Sequence, residues 1–264
     1  MKRLYFLHIP KTAGQFITES VVDSLNSVGI DNYFPYNGAY VSEQELGEKI
    51  YIGSHFGTYP IEKIPGLDTV TILRDPLSRA ISQFNFLYED RYKEMYSGMD
   101  NYMSKLKFYM FEDSHDAFVK NYQARFLSNP ASQKRFNSEQ DFLEIRTEAG
   151  EMFENSTYPN TWFVRNHLTS FEKAKQTLDS CKFVGISENL EPFLQKLDKW
   201  FFDNHNVHIE FKKDLVNTSS VIEDGILYNA KICKDLLSEE EKQRFKENNK
   251  IDYALYEYAK ILNI

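Results

Sequence analysis

An α/β protein with a mainly parallel central sheet, flanked by helices, is the expectation from three features of the chain. Short apolar runs at Leu4–Leu7, Ile50–Ile52, Thr69–Leu73 and Lys182–Ile186 have the length and bounds of buried strands. The first, third and last are followed by apolar residues at helical spacing. Strands alternating with helices in this way favour parallel pairing, with helices covering both faces of the sheet.

Each element follows from its residues. Leu4-Tyr5-Phe6-Leu7 is bounded by Pro10, and after Gly14 the residues Phe16, Ile17, Val21, Val22 and Leu25 mark one face of a helix. Ile50-Tyr51-Ile52 ends at Gly53-Ser54-His55. Thr69–Leu73 runs directly into Arg74-Asp75-Pro76, where Asp75 suits an N-cap and Pro76 a first helical turn. Leu77, Ile81, Phe84 and Tyr88 continue that helix, and Phe193, Leu194, Leu197 and Phe201 mark another after the last strand. Ser238 with Glu241 three residues on is a capping box, read as opening one long C-terminal helix. Between Tyr92 and Asn166 the pattern is polar, aromatic-rich and helical with no clear strand. It is read as an insertion (92–166) over the sheet within a single domain, 1–264.

Composition narrows the classes of function. The chain has 264 residues, 42% hydrophobic and 27% charged, as in soluble globular proteins. Lysine and arginine number 31 against 39 acidic residues, a net charge of −8. That balance argues against a nucleic acid or a membrane surface as partner, because both are bound through a basic field. Cys181 and Cys233 have neither disulfide-framework nor zinc-site spacing and are expected as reduced thiols. The basic-then-apolar start, Met1–Leu7, stops at His8-Ile9-Pro10-Lys11, too short for a signal core, and no later run is long enough to span a bilayer. The expected location is cytoplasmic.

Two constellations carry chemistry. A turn between a buried strand and a helix offers unpaired backbone N–H groups and a positive helix end, both attractive to an anion. In Pro10-Lys11-Thr12-Ala13-Gly14-Gln15 the small residues let an anion approach the backbone, Lys11 adds a mobile charge and Thr12 a hydroxyl. The order is not that of the G-x-x-x-x-G-K-[ST] loop, because here the lysine precedes the glycine. The second constellation begins at a strand end, the usual ligand edge of an open α/β sheet. Arg74 sits there, and Ser82 lies about two turns inside the following helix; together they can grip a second phosphate. Arg79 between them is read as a solvated helix charge. Two separate anion grips suit a nucleotide phosphorylated on both sides of its ribose.

Together these segments resemble the carbohydrate sulfotransferase superfamily that uses 3′-phosphoadenosine 5′-phosphosulfate (PAPS), nearest to the heparan and chondroitin/dermatan 2-O-sulfotransferase branch. Asn121-Tyr122-Gln123-Ala124-Arg125-Phe126-Leu127, Phe183-Val184-Gly185-Ile186-Ser187-Glu188 and Asn249–Tyr256 extend the likeness over nearly the whole chain. The resemblance implies a P-loop-NTPase-like sulfotransferase fold, with Lys11, Thr12, Ala13, Gly14 and Gln15 on the 5′-phosphosulfate and Arg74 and Ser82 on the 3′-phosphate. It also implies an acceptor hydroxyl on a carbohydrate or glycoconjugate, 3′,5′-adenosine diphosphate (PAP) as product, and no metal. Val216–Ser220 resembles the family's late loop near the cofactor. The family commonly has Thr-Ser after the loop glycine, where this chain has Gln15-Phe16; altered contacts to the donor are expected there, with the Gln15 amide as a substitute donor.

Sulfuryl transfer is an in-line displacement that needs a base on the acceptor hydroxyl and a cation on the leaving phosphate. His55, after a strand end, resembles the family's base histidine, and Lys11 suits the leaving group. Glu19 and Glu188 are fallback bases. His8 is expected to be structural, inside the first strand, while His115, His167, His205 and His208 fall in loops or the insertion, with no ligand set for a metal. The insertion's aromatic residues, Tyr96, Tyr102, Phe108, Tyr109, Phe111, Phe118, Tyr122, Phe126, Phe136, Phe142, Phe153, Tyr158, Trp162 and Phe163, are read chiefly as core. Lys120, Arg125, Lys134 and Arg135 are read as surface that can also line an acceptor cleft. A nucleotide or small-molecule kinase and a non-catalytic nucleotide- or glycan-binding module are the competing readings.

Overall fold

The N-terminal apolar run forms β1 (Arg3–Leu7) in the middle of a parallel sheet. A computed structural model describes residues 1–30, 33–34, 43–55, 57–58, 60–61, 64–112, 119–128, 169–212 and 219–263, and the statements below concern those residues. The remaining strands are β2 (Tyr33–Phe34), β3 (Tyr51–Ser54), β4 (Leu67–Leu73) and β5 (Phe183–Ile186). Their order is β2-β3-β1-β4-β5, with every neighbouring pair parallel. β2 is a two-residue edge strand. The other four are the apolar runs of the sequence, so the α/β, parallel-sheet expectation holds.

Alternation along the strands divides the core in two. Leu4, Phe6, Tyr51, Val70 and Ile72 face α1 (Gly14–Ser27) and α7 (Glu191–His205), through Ile17, Val21, Leu25, Phe193 and Phe201. Tyr5, Leu7, Ile52, Leu73, Val184 and Ile186 face the opposite helices. These are α3 (Pro76–Leu87), α4 (Tyr102–Phe111), α5 (Tyr122–Ser128), α6 (Phe171–Ser180), α8 (Ala230–Leu236), α9 (Glu239–Asn248) and α10 (Lys250–Leu262). α2 (Glu43–Glu48) precedes β3. α3 continues into a π-helical turn, Tyr88–Tyr92.

Tyr92, Tyr96, Tyr102, Tyr109, Tyr122 and Phe126 are buried in the same cluster as Tyr5 and Leu7, and Phe108 and Phe111 pack against it. These aromatics are core, as expected. Phe118, Phe136, Phe142, Phe153, Tyr158, Trp162 and Phe163 lie outside the described residues. So do Lys134, Arg135, His115, His167 and Val216–Thr218.

Three expectations change. The C-terminal segment is two helices: Ser238 and Glu241 form the capping box of α9, but Asn249 (φ −118°, ψ 27°) breaks the helix before α10. Its side-chain Oδ1 instead accepts the N–H of Asn121 at 2.7 Å. Second, an antiparallel hairpin, β6 (Val221–Glu223) and β7 (Ile226–Tyr228), was not anticipated. Its turn residues Asp224 (φ 51°) and Gly225 (φ 77°) are both left-handed, and Asp-Gly between apolar pairs is the sequence signal for such a turn. Third, Arg79 is not a solvated charge. It has no exposed surface, and its guanidinium lies over the Tyr122 ring at 4.2 Å; Arg125, read as surface, is likewise buried. No helix of the described residues is long and apolar enough to cross a membrane.

Candidate active site at the switch point of the sheet

The chain leaves β1 toward β2 on one side of the sheet, and leaves β4 toward β5 on the other. The loops that follow these two neighbouring strands therefore part, and a crevice opens at their C-terminal ends, where open α/β sheets bind ligands. The loop after β1 holds Lys11, and Arg74 is the first residue after β4. Arg74 Nη1 donates to the Lys11 carbonyl oxygen at 3.0 Å, joining the two sequence constellations directly.

The first loop has an unusual backbone. Lys11 (φ 71°) and Ala13 (φ 74°) are both left-handed, a conformation costing about 1–2 kcal/mol for each side-chain-bearing residue. Alternating conformations of this kind turn successive N–H groups into one concavity suited to an anion. Ala13 is also the N-cap of α1 and makes no side-chain cap bond, so the helix start is left to other partners. Strain held at this place is consistent with a binding role.

Side chains in the loop depart from the expected assignments. Thr12 is fully buried and its hydroxyl donates to the Ile9 carbonyl at 2.8 Å, so its side chain braces the loop. Gln15 donates its amide to Glu19 at 2.8 Å along the exposed side of α1, which engages both the substitute donor and one of the fallback bases. Gly14 proves to accommodate a neighbour: a Cβ there would lie 1.9 Å from His8 Cδ2 and 2.0 Å from Nε2. Gly14→Ala must therefore displace a ring held between Phe6 (centroids 5.4 Å, stacked) and His55 (4.2 Å). The expected outcome is a loss of about 1–3 kcal/mol in urea unfolding. Unchanged stability would refute this packing.

Lys11 crosses to α3 and places its ammonium 4.1 Å from the Phe86 ring centroid. Burial, with the nearby cations Arg74 and Arg79, lowers its pKa to about 8. It stays mostly charged at pH 7 and gains from any anion that relieves this crowding. Ser82 is buried on α3, one turn from Ser78 and one turn from Phe86, the ring that Lys11 covers. Asp75 caps α3 as expected, accepting from Ser78 N at 2.9 Å and Ser78 Oγ at 2.7 Å. Lys234 of α8, unmarked in the sequence, bonds Asp75 at 2.9 Å and adds a cation at this helix start.

Glu188, the second fallback base, is a brace. Its Oε1 accepts the Asp75 N–H at 3.1 Å and lies 4.0 Å from Arg74 Nε, and its Oε2 accepts the Tyr256 hydroxyl at 3.0 Å. The cation concentration about this crevice, on a chain of net charge −8, comes from Lys11, Arg74, the buried Arg79 and Lys234.

His55 lies just past β3, with Nδ1 2.6 Å from the His8 carbonyl oxygen. A carbonyl only accepts, so Nδ1 carries the proton and Nε2 the lone pair, the form a general base requires. Burial lowers the pKa of His55 to about 4, and the Nδ1 bond opposes that shift. The ring of Phe126 meets it edge-on at 6.2 Å. His8 proves to stand just beyond β1, stacked on Phe6 and tilted against His55, with its edge on Gly14. Its pKa is pushed well down, first by burial and then by His55 and Lys11.

Other candidates are elsewhere. His208 pairs with Asp198 at 3.1 Å and His205 packs on Trp200, both at the end of α7. Among the described residues no group of three or more potential ligands is placed to hold a metal. Cys181 and Cys233 are both free thiols; burial pushes Cys181 up to about 12 and also raises Cys233.

No family model matches the chain, and no curated protein matches it.

Proposed function

We propose that the chain is a PAPS-dependent sulfotransferase, moving a sulfuryl group to an acceptor hydroxyl by in-line displacement. The observation that carries the reading is the Arg74–Lys11 bond at the switch point. It couples a left-handed anion loop to a strand-end arginine, so that two phosphates on one nucleotide meet one rigid, cationic frame. In this reading the loop N–H groups and Lys11 take the 5′-phosphosulfate, and Arg74 with Ser82 takes the 3′-phosphate. The P-loop-like character of the fold is part of the same proposal, supported by the loop's place between the central strand and α1.

The acceptor oxygen forms a bond to sulfur while the bond from sulfur to the 5′-phosphate oxygen breaks. The hydroxyl proton passes to His55 Nε2, and Lys11 balances the charge on the departing PAP. A carbohydrate hydroxyl is the acceptor class implied by the resemblance.

Calorimetry tests the donor. PAP is expected to bind without magnesium and with clear preference over ATP. A magnesium-dependent preference for ATP would replace this reading by the kinase one. Tight PAP binding with no turnover of labelled PAPS on glycans, lipids or small alcohols would favour a binding module.

A further inference from the structure

We propose that Gln123 is a positioning residue that sets the preference for a 3′-phosphate, an inference that rests on the donor reading above. Ser187 N–H bonds the Leu73 carbonyl at 2.8 Å, so Leu73 turns its carbonyl toward β5. Strand alternation then turns the N–H and C=O of Arg74 to the other side, toward β1. β1 has already ended there: its last pair with β4 is Leu7 with Thr71, three residues before Arg74. Gln123 fills the missing rung. Its Oε1 accepts the Arg74 N–H at 2.9 Å and its Nε2 donates to the Arg74 carbonyl at 2.8 Å.

The amide thus continues the ladder one residue past the end of β4 and fixes the peptide from which the Arg74 guanidinium projects to Lys11. Gln123 is itself held, fully buried, with its N–H on Asp252 Oδ2 at 3.1 Å. Its two-point bond is to backbone, so its action on a ligand passes through Arg74. Removing it frees the guanidinium while the loop after β1 keeps its own braces, Thr12 to Ile9 and His8 against Gly14.

The test measures dissociation constants for PAP and adenosine 5′-monophosphate, whose ratio isolates the 3′-phosphate. Gln123→Met is expected to cut the preference for PAP about tenfold with monophosphate affinity within about twofold, the size of one lost hydrogen bond to a key group. In an Arg74→Ala background the same substitution is expected to change the ratio no further. A merely structural role would weaken both nucleotides together, and either that result or an additive effect on Arg74→Ala would overturn the proposal. If Gln123→Met does not melt cooperatively, Gln123→Glu serves: it keeps size and the acceptor for the Arg74 N–H but lacks the donor, and the same fall in ratio is expected. A wild-type chain with no preference for PAP would instead overturn the donor reading itself.

Discussion

Replacing His55 by alanine is expected to lower turnover by roughly 10²–10⁴-fold while leaving PAP affinity nearly unchanged. The bond from Nδ1 to the His8 carbonyl places the lone pair on Nε2, and the ring is seated by His8 and Phe126 rather than by residues of the anion loop. Loss of the ring therefore removes a proton acceptor and leaves the phosphate grips in place. The pH profile carries a second mark. With a pKa of about 4, His55 is neutral through the range in which an ordinary histidine titrates near 6.5. The acid limb of kcat/KM is accordingly expected near pH 4, and below that the protonated ring cannot accept the hydroxyl proton. Near-normal turnover in His55→Ala, or an acid limb that survives the substitution, would remove His55 as the base.

The same depressed pKa has a cost in stability, opposite in sign to that of a histidine held charged in an ion pair. Between about pH 6.5 and 4 the unfolded chain binds a proton at His55 that the folded chain does not. Folding stability therefore falls as the pH falls through that window, by up to about 3 kcal/mol at the rate of 1.36 kcal/mol per unit.

What was legible in the sequence shares one physical property: it is local. Parallel strands buried on both faces are continuous apolar runs, and helices show their period, so four strands and the helix starts at Asp75 and Ser238 were readable. The convergence of Lys11, Arg74 and His55 was readable because all three follow strand ends, and parallel strands bring those ends to one edge. The burial of Arg79 was not, because its surroundings, Tyr122 and the carboxylate of Asp252, come from distant segments. Nor was the inward turn of the Thr12 hydroxyl, or the use of Gly14 as room for His8, since both depend on side-chain directions that spacing does not specify. The Asp224-Gly225 hairpin is different: its signal, Asp-Gly between apolar pairs, is local and lies in the chain.

The largest effect on stability is expected at Asp252. The starts of α5 and α10 face one another and cap each other. Asp252 accepts the N–H of Gln123 at 3.1 Å and of Ala124 at 2.7 Å, while Asn121 Oδ1 accepts the N–H of Ile251 at 3.0 Å and of Asp252 at 3.2 Å. Asp252 is also the buried carboxylate felt by Arg79 and Arg125. Asp252→Ala would leave two helix N–H groups and two buried guanidinium groups without it, and a loss of about 3–5 kcal/mol in urea unfolding is expected. A loss below about 1 kcal/mol would refute the reciprocal cap. Asp252→Asn, which keeps one acceptor, should lose less and reveal more. Burial raises the pKa of Asp252 to about 6 from its ordinary 3.8, so stability falls as the pH rises through that interval. This slope runs against that of His55, and also against that of His8, whose pKa burial pushes down as well. Asp252→Asn removes that opposing group. Its stability is therefore expected to climb with pH between about 4 and 6 more steeply than that of the native chain, by up to about 1.4 kcal/mol per unit. Equal slopes in the two proteins would show that Asp252 does not titrate in that interval.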